Sequence, residues 1–295
     1  MRQRHYRENQ KNPGFKIALA AFRLSAWALS AALLWQGAAR AQVFITPMVI
    51  EVPENRGQAQ GFIEVRNNSN DTFRARIYTE SFTYNRDAGF QSLKSTNASD
   101  LSSYLQFSPR EMILQPGANR RVRFVARLAP NLPDGEYRTM IFTEKLQEAP
   151  AVTTASNRPN VALTARIGVA VFVRKGNVAP NLAVGGASLN ADKNRVQLLV
   201  GNTGKASARP GGTWTLKQGG TVVKTGEIPP TIVLAENERN CLVTYLGAEQ
   251  DRLNLAPGEY QLTGELTWGE DNNKSKLPFS VNLTVPGKTA VSPSS

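Results

Sequence analysis

The chain has 295 residues, with 35 Lys and Arg against 23 Asp and Glu and a formal net charge of +12. It holds one His, His5, and one Cys, Cys241. Beyond the first residues this excludes a Ser-His-Asp or Cys-His nucleophile system and a zinc site of the usual His/Cys kind, and a lone Cys forms no intramolecular disulfide.

The chain opens on a basic stretch, MRQRHYRENQKNPGFK, followed by an apolar run over residues 24–35 and by Ala39-Arg40-Ala41. Basic lead, short apolar run and small-x-small site predict a secretory signal peptide over residues 1–41, removed near Ala41. An uncleaved anchor is the alternative, although the apolar run is short for a membrane span. Seven of the basic residues and one acid lie in this leader, so the remaining 254 residues carry 28 basic against 22 acidic residues, a net +6. That modest surplus does not point to nucleic acid.

From Gln42 onward, short runs of alternating apolar and polar residues are separated by Asn, Gly, Pro and Asp clusters, the pattern of an all-β chain. Strands are predicted at residues 43–52, 61–67, 73–82, 104–107, 111–114, 121–128 and 137–146. Turns are predicted at Asn67-Asn68-Ser69-Asn70-Asp71, Gln115-Pro116-Gly117 and Pro133-Asp134-Gly135. Arg121, Arg123 and Arg127 alternate with Val122, Phe124 and Ala126, as on a solvated sheet face. Residues 148–160 are rich in Ala, Thr, Ser and Pro and predict a mobile loop. Every odd position of residues 161–173 is then apolar: Val161, Leu163, Ala165, Ile167, Val169, Val171 and Val173. A strand that long exceeds the common five or six residues, at about 3.3 Å each. It is either the last strand of a sandwich running on into a linker, or an edge strand kept available for a partner.

A linker is expected around residues 175–181, and the strand rhythm resumes at 182–189, 195–201, 212–216, 222–225, 231–234, 240–246, 260–268 and 277–285. Residues 287–295 read as a disordered tail. Cys241, inside an apolar run, reads as a small buried hydrophobe, with intermolecular pairing as the alternative. Glu236 and Glu238 read as exposed turn acids. Leu132-Pro133-Asp134-Gly135-Glu136-Tyr137 is echoed by Leu255-Ala256-Pro257-Gly258-Glu259-Tyr260. A tight turn followed by Tyr entering a late strand is the pattern of a tyrosine corner, or of an ordinary turn with a half-buried Tyr. The expected architecture is two tandem immunoglobulin-like β-sandwich domains, residues 42–175 and 176–286, with no cofactor and no metal.

Several segments also follow one another in a familiar order. They are Ile45-Thr46-Pro47, Phe62-Ile63-Glu64-Val65-Arg66-Asn67-Asn68, and Phe107-Ser108-Pro109-Arg110 with Leu114-Gln115-Pro116-Gly117 and Val122-Arg123. Leu132-Pro133-Asp134-Gly135-Glu136-Tyr137-Arg138 and the long strand ending Phe172-Val173-Arg174 complete the set. In this order they resemble the periplasmic chaperones of the chaperone–usher pilus pathway. The resemblance covers residues 43–174; in the second half it lies in fold pattern and size. It implies a periplasmic, non-enzymatic chaperone whose partners are pilin-like subunits and an outer-membrane usher. Such a chaperone lends alternate apolar side chains of an exposed strand to an incomplete subunit. The lending positions implied are Val161, Leu163, Ala165 and Ile167, with loop 148–160 ordering on capture. The family's anchors for the subunit's terminal carboxylate fall on Val49 and Ala170, neither of which can hold an anion. Arg166 and Arg138 are the candidate replacements, and Arg174 falls on a family Arg that pairs acids at the domain junction. These departures mark a divergent member. Without a chaperone role, the same pattern describes an exported two-domain sandwich that binds another protein or a glycan.

Overall fold

The structure, a computed structural model, describes residues 43–87, 89–94, 97–146, 165–190, 195–245, 255–270 and 273–287. The expected leader, the loop at 148–160 and the expected tail from 288 lie outside these residues, as do Val161 and Leu163.

In chain order the first half forms β1 (Val43–Thr46), β2 (Val49–Pro53), β3 (Gln58–Asn67), β4 (Phe73–Glu80), β5 (Phe82–Asn85), β6 (Gly89–Ser92), β7 (Leu105–Ser108), β8 (Glu111–Leu114), β9 (Asn119–Arg127), β10 (Gly135–Lys145) and β11 (Arg166–Lys175). The second half forms β12 (Leu182–Asn190), β13 (Arg195–Asn202), β14 (Gly211–Gln218), β15 (Thr221–Ile228), β16 (Asn237–Leu242), β17 (Thr244–Tyr245), β18 (Gly258–Trp268) and β19 (Ser275–Val285). All these strands belong to the compact unit Val43–Ser295.

The architecture is all-β, with two immunoglobulin-like sandwiches in tandem. In the first, a sheet of order β1-β3-β9-β7 faces one of order β2-β11-β10-β4-β8. Period-2 alternation fills the space between them: Ile63, Val65, Val122 and Phe124 from one side meet Ala75, Ile77, Met112, Ile141, Val169 and Val171 from the other, all buried. Arg121, Arg123 and Arg127 point outward, as their alternation with Val122, Phe124 and Ala126 requires. In the second sandwich β12-β13-β16 faces β17-β15-β14-β18-β19. Its core holds Val196, Leu198, Val200, Trp214, Leu216, Leu262, Leu283 and Cys241. Trp214 sits fully inside because its indole N–H donates to the Thr244 carbonyl at 2.8 Å.

Both tyrosine corners form. The Tyr137 hydroxyl donates to the Pro133 carbonyl and the Tyr260 hydroxyl to the Ala256 carbonyl, each at 2.8 Å and four residues upstream. A second pair of pins went unread in the sequence. Asn67 and Asn202, 0% and 2% exposed, each close a strand and organise the turn after it. The Asn67 amide donates to the Leu114 and Asp71 carbonyls. Asn202 donates to the Ala206, Val233 and Leu234 carbonyls, while its own oxygen accepts the Asn181 and Gly204 N–H groups.

Three expected strands differ from the observed ones. Residues 43–52 form two strands in different sheets, because the chain crosses over at Pro47, which has no N–H for a ladder. Residues 231–234 make only a bridge between Ala208 and Val233, since Pro229 and Pro230 leave no donors to extend the pairing. Residues 240–246 break at Val243 into β16 and β17, again in different sheets. The hairpin β5–β6 was not anticipated.

Replacing Asn202 by Ala strips a donor from buried carbonyls and an acceptor from two N–H groups. The expected loss is about 2–4 kcal/mol of unfolding free energy in urea titration, against under ~0.5 kcal/mol for an exposed site such as Gln115→Ala.

Candidate functional site: an open strand edge beside the sandwich junction

β11 lies between β10 and β2, but its two flanks are covered unequally. β10 pairs with all of it, from Glu144↔Arg166 to Gly135↔Lys175. β2 runs parallel to it only from Ala170↔Val49 to Arg174↔Pro53. Among the described residues, no strand pairs with Arg166–Val169 on the β2 side. The direction of the backbone groups there follows from the ladder. Ala170 donates to the Met48 carbonyl at 3.1 Å and Arg174 accepts from Glu54, so even-numbered residues turn toward β2. By strand alternation Arg166 and Gly168 present their N–H and C=O to the open flank.

The two faces of β11 do different things. Val169, Val171 and Val173 enter the core of the first sandwich, and Ile167 packs half-buried against that core. Ala165 is exposed. On the other face Ala170 and Phe172 join Phe82, Met140, Phe142 and Leu234 in a buried cluster shared with the second sandwich. Val49 packs against this cluster, and Val49 and Ala170 are direct register partners. The two positions at which the family resemblance places a carboxylate anchor are therefore adjacent and apolar, with Ala170 buried and Val49 half-buried. Gly168 is where the cluster meets the open flank. A Cβ there would lie 2.8 Å from the Phe142 ring and 2.9 Å from Met140, so those side chains can lean across β11 only because residue 168 is Gly.

Arg166 is committed to neighbours. Its guanidinium pairs with Glu80 at 2.8 Å, donates to the Tyr78 hydroxyl at 3.2 Å and lies 4.2 Å from the Phe142 ring centroid. The Tyr78 hydroxyl in turn donates to Glu144 at 2.7 Å. That hydrogen bond, with the Arg76 and Arg166 charges, holds the Glu144 carboxyl below its ordinary range, while burial pushes the Tyr78 hydroxyl up. A guanidinium so occupied has little to offer a carboxylate from outside.

Arg138 differs. It is 8% exposed, its Nε meets no acceptor among the described residues, and burial lowers its pKa. It lines a cavity of about 450 Å³ with Asn97, Ser99, Lys205 and Glu236. The backbone segment beside it there is Ser99–Leu101, bonded through Arg138 N–H to Ser99 and through Leu101 N–H to Arg138. Its cross-strand neighbour on β11 is Phe172, so it lies on the junction face of the sheet, toward the covered end of β11 and six residues along from Arg166.

Arg174 stands where the two sandwiches meet. It donates to Glu136 at 3.2 Å, to Glu51 at 3.1 Å and to the Ser207 carbonyl at 3.0 Å. Glu136 also accepts the Ser207 N–H at 2.9 Å and the Ser207 hydroxyl. Arg209 of the second sandwich adds an ion pair to Glu51 at 2.8 Å.

The β5–β6 hairpin, missed from the sequence, closes the junction from the other side. Phe82, Tyr84 and Phe90 pack on one another with centroids 5.6–6.3 Å apart. Arg86 pairs with Glu238 at 3.1 Å, Asn240 donates its backbone N–H to the Arg86 carbonyl at 3.1 Å, and Arg239 lies 4.7 Å from the Tyr84 ring. A signal was present: aromatic residues at 82, 84 and 90 alternate about the turn formers Asn85 to Gly89. Among the described residues, no group of three or more His, Cys, Asp and Glu is assembled as for a metal ion, and no helix is long and apolar enough to cross a membrane.

No family model matches the chain, and no curated protein matches it. It is similar to solved structures of fimbrial chaperones. For the class 5 fimbriae chaperone CfaA the identity is 14%, with 81% of this chain and 98% of that one covered and a TM-score of 0.47. For the Salmonella enterica SafB chaperone in complex with SafA pilin the values are 10%, 82%, 99% and 0.45. For the CsuC–CsuE chaperone–tip adhesion subunit pre-assembly complex from archaic chaperone-usher Csu pili of Acinetobacter baumannii they are 14%, 83%, 99% and 0.44.

Removing the Arg174 guanidinium as Arg174→Met leaves the Glu136 carboxylate, whose side chain is 0% exposed, without its charge partner. A loss of about 3–5 kcal/mol is expected in chemical denaturation. The double change Arg174→Met with Glu136→Gln should recover part of it. Cys241 is buried and its thiol is pushed up to about 11 by that burial. At pH 8 native protein should react with a thiol-specific disulfide reagent far more slowly than protein in denaturant. Because the folded value is raised from an ordinary 9.0 to about 11, this group's contribution to stability is present below pH 9 and is lost as pH rises toward 11.

Proposed function

We propose that this chain is a periplasmic, non-enzymatic chaperone that holds pilus- or fimbria-type subunits by adding its own strand edge to them. The observation that carries the reading is the open flank of β11 at Arg166–Val169, in a sheet whose neighbouring strands are otherwise paired. Unpaired N–H and C=O groups in a row are a template for another strand, and β-addition satisfies them at once. The sequence resemblance supports the same reading over residues 43–174. On it, residues 1–41 are a cleaved export signal, the cargo is a pilin-like subunit and an outer-membrane usher receives the complex.

In this reading the strand continues the period of β11 back through Val161, Leu163 and Ala165 to Ile167. These odd positions fill the groove of a subunit that lacks a strand. Each aliphatic side chain so buried contributes about 1.5–3 kcal/mol before association costs. Ile167 gives less than Val161 or Leu163, because part of its surface is already spent on the chaperone's own core. The junction built on Arg174 and Glu136 fixes the end of β11, so the edge at Arg166–Val169 is offered in one geometry, while loop 148–160 orders on capture. Glu51, Glu80, Glu136 and Glu144 are each taken up in ion pairs or hydrogen bonds, which favours binding over catalysis.

The test uses co-expression with a pilin-like subunit from the same organism. Wild-type protein is expected to leave the periplasm bound to that subunit. Leu163→Glu should melt within a few degrees of wild type and bring no subunit with it. Val171→Glu, at a position 0% exposed, should unfold the domain by burying an unpaired carboxylate. A Leu163→Glu protein that melts as poorly as Val171→Glu, or one that is stable and still holds the subunit, overturns the proposal.

A further inference from the structure

Exposed large apolar side chains are few among the described residues, and two of them flank the open edge. Met48, 50% exposed, gives its carbonyl to the Ala170 N–H at the point where β2 stops covering β11. Phe90, 39% exposed, lies at the tip of the β5–β6 hairpin, although the rings it touches are closed: Phe82 is 0% and Phe142 5% exposed. Phe90 stacks on Phe82 at 5.9 Å and meets Phe142 edge-on at 6.0 Å. Phe142 is the ring that leans over Gly168 toward the open flank, under the Arg166 guanidinium. From the exposed Phe90 an apolar path therefore runs through the buried Phe142 ring to Gly168, whose backbone groups have no strand beside them.

From this arrangement we infer that the β5–β6 hairpin is part of the partner-binding surface. The segment it fits is an extended strand of another protein whose side chains facing the hairpin are apolar and uncharged. The inference rests on the strand-addition reading and adds the chemistry of the recognised segment. The open backbone groups require an extended occupant. The charge of Arg166 is already met by Glu80, and Val49 and Ala170 supply no charge, so nothing along this edge rewards an acidic side chain. Glu80 and Glu144 beside it would repel one. The platform is held in place before binding: Glu80, which pairs with Arg166, also accepts the Ser92 hydroxyl at the end of the hairpin, while Arg86 and Asn240 tie the turn to the second sandwich. Phe90 thus contributes contact surface at little ordering cost.

The probe is a fluorescein-labelled peptide of alternating Val and Ser with a Lys at each end, measured by fluorescence anisotropy against the full secreted chain. A second peptide replaces each Val by Glu, and a third carries N-methyl groups on alternate residues to block backbone pairing. Wild-type protein is expected to bind the Val peptide and neither of the others. Phe90→Ser should weaken binding about fivefold with the melting temperature unchanged, Phe90→Leu should restore most of it, and Val222→Ser, on an exposed apolar residue of the second sandwich, should leave it unaltered. Equal binding by wild type and Phe90→Ser overturns the platform while leaving the open edge intact. Equal binding of the Val and Glu peptides overturns the apolar preference. Failure of wild type to bind the Val peptide, or undiminished binding of the N-methylated one, removes strand addition itself. A wild-type dimer whose β11 amides are already protected from hydrogen exchange assigns the edge to a second copy of the chain and overturns the inference as well.

Discussion

A carboxylate with no exposed side-chain surface sits where the two sandwiches meet. Glu136 belongs to β10 of the first sandwich, yet it takes hydrogen bonds from Ser207 of the second and from Arg174 on the neighbouring strand. A buried charge is costly unless its lone pairs are filled, and here the filling groups come from both domains. The interaction therefore makes the relative placement of the sandwiches a condition of satisfying Glu136. Arg174 extends the constraint by reaching Glu51 on β2 and the Ser207 carbonyl, so the strand that ends at the junction is itself fixed. Everything upstream on β11 inherits that fixed position, including the stretch that β2 leaves uncovered.

The same constraint explains why β10 and β11 do not look like ordinary half-buried strands. β10 is buried without interruption from Glu136 to Thr143. Its odd positions face the first core and its even ones face the junction cluster of Met140, Phe142, Ala170, Phe172, Phe82 and Leu234. A strand with apolar neighbours on both faces has no solvent face on which to display polar residues. What would be a cleft between two domains is consequently a small third core, roofed by the β5–β6 hairpin and floored by Val49 and Ala170. The geometry that closes the junction also leaves an edge open beside it, since β2 is short and enters only at Val49.

Covered and open backbone are separated along β11 by this arrangement. From Ala170 to Lys175 the strand is covered on both flanks and carries the junction; from Arg166 to Val169 it is covered on one. The charge network of Arg166, Glu80, Tyr78 and Glu144 sits on the second stretch and is partly exposed, where ion pairs contribute about 0–1 kcal/mol each. Its effect lies in orientation more than in energy: it holds the beginning of the strand against β4 and β10 while the other flank stays free.

Much of this architecture follows from sequence alone, for a simple reason. Alternation is a local property, so a chain rich in period-2 runs and turn formers declares strands, two sandwiches and a solvated Arg121–Arg123–Arg127 face without reference to partners in space. The tyrosine corners were legible because turn and Tyr lie within a few residues of each other. The early His5 and the lone Cys241 ruled out whole classes of chemistry by count. The rest required tertiary structure because it depends on residues far apart in the chain. The chain changes sheets at Pro47 and at Val243, splitting strands read as single, and Pro229 and Pro230 reduce residues 231–234 to a bridge. Ile167 shares its period with Val169, but only packing shows that it already rests on its own core. Arg166 and Arg138 look alike as free cations; one meets Glu80, eighty-six residues away in sequence, and the other is buried on the junction face opposite Phe172. The hairpin at 82–92 has no assigned place until Glu238 and Asn240 are brought against it, because a surface made by two domains is written in neither of them separately.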